Sequence, residues 1–289
     1  MGIAMSESAL RLEPSFLQRH ALTLGIALMF LLTWPIDLAH SERLPLQVPF
    51  LLYLFLGWGF VVAAIVMTAL TGGRAAVVRL LKRYLIWRVG WRWFAVSLLL
   101  LPAIIAAAVW LNAWTSDQPI DFTNVFAHKI FGASASLPMF VVPFLLTDAI
   151  SNGEEIGWRG YVLPRLQARH NALVASLILG GIWALWHVPK FMAPGNTSPF
   201  ALFFVRVVIE TVLYTWIYNN TRGSLLMTTL AHASANTAGV FLPVANTVSG
   251  SDTHTLEIQI AIDAVVVLAV VAFAGPANLS RSVPRQTQI

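Results

Sequence analysis

The sequence predicts an all-α fold: a polytopic membrane bundle of about eight transmembrane helices. Three observations carry this. Of 289 residues, 57% are hydrophobic and 11% charged, against about 25% charged in ordinary soluble chains. Apolar runs long enough to cross a bilayer, about 20 residues each, recur along the chain. The basic residues between them are segregated as the positive-inside rule requires.

The predicted spans are 21–39, 48–70, 93–114, 136–168, 171–190, 199–219, 224–244 and 257–275. The first, opening with "ALTLGIALMFLLTW", imitates a signal-peptide core. No small-x-small cleavage site follows and further spans come after it, so it reads as a membrane helix. The segment before it, "MGIAMS", fits the myristoylation pattern formally, but an acyl chain adds little to a protein with several spans. Pro35, Pro102, Pro138 and Pro143 fall within or near spans, where proline is tolerated with a kink. The fourth span contains "NGEEIGWRGYVLPRL" (Asn152 to Leu166), with two carboxylates and an arginine between apolar stretches. No long linker, low-complexity tract or internal repeat interrupts the pattern, so residues 1–289 read as a single membrane domain.

Orientation follows from Lys and Arg. "GGRAAVVRLLKRYLIWRVGWRW" (Gly72 to Trp93) carries six cations and no acid. It reads as a cytoplasmic connection: either an amphipathic helix on the inner face, held by anionic lipid, or an ordinary positive-inside loop. Alternating the spans places Arg11, Arg19, Arg159, Arg165, Arg169, Arg222, Arg281 and Arg285 on the same side, and only Arg43, Lys129 and Lys190 opposite. Both termini are then cytoplasmic, and the short, alanine-rich chain points to a bacterial cytoplasmic membrane. The net charge of +5 is explained by this basic face, so no nucleic-acid partner is implied. With no cysteine, disulfides, thiol catalysis and thiolate metal sites are excluded.

A charge at membrane depth costs about 2.5–3.5 kcal/mol on insertion scales, so each such residue is a candidate for function. Asp148, Glu154, Glu155, Arg159, His187, Arg206, Glu210, His232 and Asp263 qualify, with Asn236 as a polar neighbour. Arg206 and Glu210 are four apart and read as a structural pair on one face. Asp148 and Asp263 read as helix-packing hydrogen bonders. Glu155 and Arg159 are also four apart and form an internal salt bridge. Glu154, about 100° around the helix, cannot share it and is left to face something else. His232 and Asn236 project from one face of the seventh span, and His187 ends the fifth. A glutamate with two histidines can activate water directly or through a metal, and an asparagine can donate to a developing oxyanion. Counting about 1.5 Å per residue from the inner ends of their spans puts His232 about 10 Å deep and His187 about 24 Å deep, a mismatch unless the fifth helix starts deeper or tilts. "MAPGNTSPF" (Met192 to Phe200) has the composition of a loop.

At these residues the sequence resembles the CPBP family (CAAX-protease and bacteriocin-processing intramembrane proteases, also called Abi). "EEIGWR" (Glu154 to Arg159) resembles its EExxxR motif, "WALWH" (Trp183 to His187) its FxxxH motif and "HASAN" (His232 to Asn236) its HxxxN motif, across a core of about 138–244. Trp183 stands where the family commonly has phenylalanine, which reads as a packing change. The resemblance implies an endopeptidase hydrolysing peptide bonds of membrane-associated protein or peptide substrates within the lipid bilayer. Glu154 would activate water, His187 would assist it, His232 and Asn236 would stabilise the oxyanion, and Glu155 with Arg159 would support them. Family members are described both as metalloproteases and as glutamic proteases. The sequence has no HExxH motif, and a divalent ion such as zinc on Glu154, His187 and His232 remains one reading. Eukaryotic relatives remove the last three residues of prenylated CAAX proteins, while many bacterial relatives are linked to bacteriocin immunity, peptide maturation or signalling. Two other classes are weighed against the protease: a non-catalytic peptide-binding or immunity protein, and a proton-coupled transporter, which predicts inverted repeats that the sequence does not show.

Overall fold

A computed structural model describes residues 15–49, 52, 56–132, 138–196, 198–244 and 253–281. The "MGIAMS" segment, Arg11 and Arg285 lie outside the described residues. Those described are helical, without strands. In chain order the helices are α1 (Phe16–Arg19), α2 (Ala21–His40), α3 (Trp58–Lys82), α4 (Trp91–Ser116), α5 (Phe126–Phe131) and α6 (Pro138–Ser151). They continue with α7 (Leu163–Gln167), α8 (Ala172–Trp186), α9 (Val188–Phe191), α10 (Phe200–Asn220), α11 (Leu225–Phe241) and α12 (His254–Ala274).

Among the described residues, five helices are long and apolar enough to cross a membrane: α2, α3 with its extension to Leu85, α4, α10 and α12. The helices beside the three motifs are shorter. α6, α8 and α11 have 14, 15 and 17 residues. α8 packs on α10, and α11 packs on α4 and α6. Exposed apolar residues such as Leu31, Val62, Leu99, Val265 and Leu268 lie on α2, α3, α4 and α12.

Two predicted spans are resolved more finely. The second leaves helical geometry at Gly73 (φ +68°, ψ −173°), close to its expected end at residue 70. Beyond that break a further helical segment, included in the range of α3, runs to Lys82. Arg74, Arg79 and Lys82 lie on this segment, separate in backbone geometry from the span before it. The fourth span is not one helix over 136–168. It breaks at Asn152–Gly153 and resumes at Glu154, passing through a π-helical turn (Ile156–Val162) into α7. The break has a steric cause: a Cβ at Gly153 would lie 2.6 Å from the Gly57 carbonyl oxygen, and one at Gly57 would lie 2.7 Å from the Gly153 nitrogen. Only glycine allows this backbone approach. The side-chain oxygen of Asn152 then accepts from the Glu154 amide at 3.0 Å and restarts the helix.

The π turn is the most buried part of the chain. Every residue from Ile156 to Val162 is buried. Trp158 packs on Phe60 of α3 (ring centroids 4.7 Å apart), and Phe60 meets Trp186 of α8 at 5.0 Å. The Tyr161 hydroxyl donates to the Ala21 carbonyl at 2.6 Å, and the Trp186 indole donates to Thr33 Oγ1 at 2.7 Å. The motif turn is thus clamped by α2, α3 and α8. π turns are rare and occur mostly at functional sites.

Candidate active site

The two adjacent glutamates part company, as their spacing requires. Glu155 Oε1 lies 2.8 Å from Arg159 Nη1, with both side chains at most 1% exposed. The same oxygen is 3.0 Å from His232 Nδ1, which ties the motif turn to α11. The Arg159 guanidinium lies against two aromatic rings, 4.5 Å from the Trp183 centroid and 4.3 Å from that of Tyr214. Its Nε and Nη2 have no hydrogen-bond partner among the described residues, so the rings and Glu155 carry its charge.

Glu154 makes a different set of contacts. Its Oε2 accepts 2.7 Å from the Trp183 indole nitrogen and 3.2 Å from that of Trp158. Two N–H donors on one oxygen fix the carboxylate and leave Oε1 outside these bonds. The side chain is nearly buried, with 7% of the residue exposed.

Trp183 is the hub. Besides holding Glu154 and covering Arg159, its ring lies 5.3 Å from His232 and 6.0 Å from His187. Both histidines therefore belong to one site, and the depth mismatch disappears. Counting assumed that both helices start in one plane. Leu225, at the start of α11, packs beside Gly160 inside the π turn, whereas α8 begins beyond α7 at Ala172. His187 Nδ1 is 2.9 Å from the Trp183 carbonyl oxygen. A carbonyl only accepts, so Nδ1 carries the proton and Nε2 has a free lone pair.

These groups border a cavity of about 520 Å³, within the roughly 300–1,000 Å³ of ordinary ligand sites. Asp148, Trp183, His187, His232 and Asn236 line it, with Phe144, Phe203 and Val240 on the apolar wall. Glu154 is not itself a lining residue; it is joined to the cavity wall through the Trp183 indole N–H. Asn236 donates from Nδ2 to Asp148 Oδ2 at 3.1 Å. A primary amide has two N–H donors, so one remains for another acceptor.

Arg206 and Glu210 pair at 2.8 Å as their spacing predicts. Gln259 adds a donor to the same glutamate oxygen at 3.1 Å. Asp263 is fully buried and within electrostatic reach of both.

Three participants escape a reading of the sequence. Trp158 and Trp183 pass for packing residues, although their N–H groups hold Glu154. Asp37 was not counted among the buried charges. It is fully buried on α2, and neither carboxylate oxygen has a hydrogen-bond partner among the described residues.

Among the described residues no three His, Asp or Glu side chains converge on one coordination sphere, and two indole donors already occupy Glu154 Oε2.

Residues 132–238 match the family model described as Rce1-like, type II CAAX prenyl endopeptidase. That span contains Glu154, His187, His232 and Asn236. The chain is 29% identical over 153 residues to CAAX prenyl protease 2 of Methanococcus maripaludis, covering 49% of this chain and 53% of that protein. The chain thus spans about half the length of this curated relative.

Proposed function

We propose that the protein is an intramembrane endopeptidase in which Glu154 activates water against a peptide bond of a membrane-associated substrate. The observation that carries this is the convergence of the three motif helices on Trp183, which fixes the Glu154 carboxylate beside a cavity bordered by His187, His232 and Asn236.

The chemistry runs as hydrolysis by a general base. Glu154 takes a proton from water, and the hydroxide attacks the scissile carbonyl carbon. The resulting oxyanion is met by the free amide N–H of Asn236 and by the Nε2–H of a protonated His232, whose Nδ1–H donates to Glu155. His187 orients the water through Nε2. Glu154 then returns its proton to the departing amine, the C–N bond breaks, and a new carboxyl and a new amino terminus form. Glu155 and Arg159 act as positioning residues. The apolar wall of Phe144, Phe203 and Val240 suits a lipid-modified substrate. The name of the archaeal relative makes a prenylated CAAX-type C-terminus the first class to test.

The experiment presents purified wild type and Glu154→Ala with prenylated and unmodified peptide libraries, with and without chelator, and detects new termini by mass spectrometry. New termini from wild type alone, insensitive to chelator, are expected. Identical fragments from both proteins would remove the protease reading. Loss of cleavage on chelation would restore the metal.

A further inference from the structure

On the face away from this cavity, a second recess of about 250 Å³ lies between α3, the π turn and the turn joining α10 to α11. Arg79, Lys82, Arg83, Arg165 and Arg222 line it, and no carboxylate does among the described residues. Gly160 forms part of its wall and follows Arg159 of the motif directly.

The recess is built rather than incidental. Arg165 lies over the Tyr161 ring, 3.6 Å from its centroid, and donates to the Tyr161 carbonyl at 2.8 Å. Arg83 packs against Tyr218 and bonds its hydroxyl. Arg222, at φ +60°, donates to the Arg88 carbonyl at 2.5 Å. Arg83 and Arg165 are half-buried. Cations from three elements are thus held facing one small space. Their mutual repulsion opposes that packing unless an anion neutralises it.

We infer that this recess binds the phosphate group of an anionic phospholipid, bridging α3, α7 and the α10–α11 turn. Arginine forks match phosphate oxygens in geometry and charge, and basic pockets between membrane helices on the cytoplasmic side take such headgroups. The volume is below that of drug-sized ligand pockets, so it suits a headgroup rather than a whole lipid. The acyl chains have a place outside it: Val78, Leu81 and Leu85, on the same stretch of α3 and its extension, are 40%, 42% and 71% exposed. This favours a lipid over a free anion. The bound headgroup braces the turn carrying Glu155 and Arg159, so the lipid stabilises the site without touching it.

The test uses the full-length protein, delipidated in detergent, titrated with dioleoyl phosphatidylglycerol, dioleoyl phosphatidylcholine or inorganic phosphate. Native mass spectrometry reads bound lipid and a thermal melt reads stabilisation, so neither readout depends on proteolysis. Phosphatidylglycerol is expected to bind and raise Tm, phosphatidylcholine and inorganic phosphate to do neither at matched concentration. Arg79→Gln with Lys82→Gln, both exposed positions, is expected to weaken phosphatidylglycerol binding at least tenfold. Arg74→Gln with Arg92→Gln, exposed cations outside the recess, is expected to leave it unchanged. Equal binding by the Arg79/Lys82 variant, equal loss in the Arg74/Arg92 control, equal binding of phosphatidylcholine, or the same Tm rise from inorganic phosphate would each overturn the proposal.

Discussion

Replacing Trp183 by phenylalanine isolates one hydrogen bond from the packing around it. The indole nitrogen of Trp183 is 2.7 Å from Glu154 Oε2, and its ring also covers Arg159 and meets His232. Phenylalanine keeps an aromatic face for Arg159 and most of the volume, and loses only the donor. A hydrogen bond to a charged group contributes about 1.5–3 kcal/mol, and each 1.36 kcal/mol is about tenfold in rate. With Glu154 less firmly held, kcat is expected to fall by roughly 10- to 150-fold with KM little changed, because the substrate does not contact this bond. Trp158→Phe removes the longer, 3.2 Å bond to the same oxygen and is expected to cost less. The double variant is expected to fall short of the product of the two, since both act on one atom. The assay is steady-state cleavage of the best peptide from the library, with a thermal melt alongside. A Trp183→Phe enzyme with wild-type kcat and unchanged Tm would refute the idea that the indoles position Glu154.

Further outcomes follow from other contacts. Glu155→Ala leaves Arg159 buried against two rings without its carboxylate; breaking a buried pair costs about 3–5 kcal/mol, so Tm and yield of folded protein are expected to drop. Gly153→Ala brings a Cβ to 2.6 Å from the Gly57 oxygen; a lower Tm and loss of cleavage are expected, and a normal melt would show that the backbone approach is not needed. Asp148→Ala frees the Asn236 amide from its acceptor, so kcat is expected to drop severalfold with Tm nearly unchanged. Asp37→Leu removes a buried carboxylate that lacks a hydrogen-bond donor, and a rise in Tm is expected; a fall would show that its charge is used.

The ion pairing of Glu155 rather than Glu154 was legible because helical spacing decides it: Glu155 reaches Arg159 one turn on, and Glu154 cannot. The turn is π rather than α, yet the four-residue pairing survives at 2.8 Å. The Arg206–Glu210 pair was legible for the same reason. The helix break at Asn152–Gly153 was not, because its cause is a contact with Gly57 nearly a hundred residues away. The level of His187 was hidden for a similar reason. A helix that starts beyond another element cannot be placed by counting from a shared plane. Trp183 shows a third limit. A tryptophan in an aromatic position looks like core, and only its partner reveals that the N–H is in use. Asp37 reads as the polar end of a span until its complete burial is seen.

The central claim is that Glu154 performs chemistry while Glu155 holds structure. Its most direct test compares Glu154→Gln and Glu155→Gln for single-turnover cleavage and thermal stability on the same preparations. The account predicts that Glu154→Gln melts close to wild type and cleaves at least a thousandfold more slowly, in the range of losses on removing a general base (about 10²–10⁴). Glu155→Gln is predicted to melt lower and keep measurable turnover. Cleavage by Glu154→Gln at the wild-type rate would contradict it.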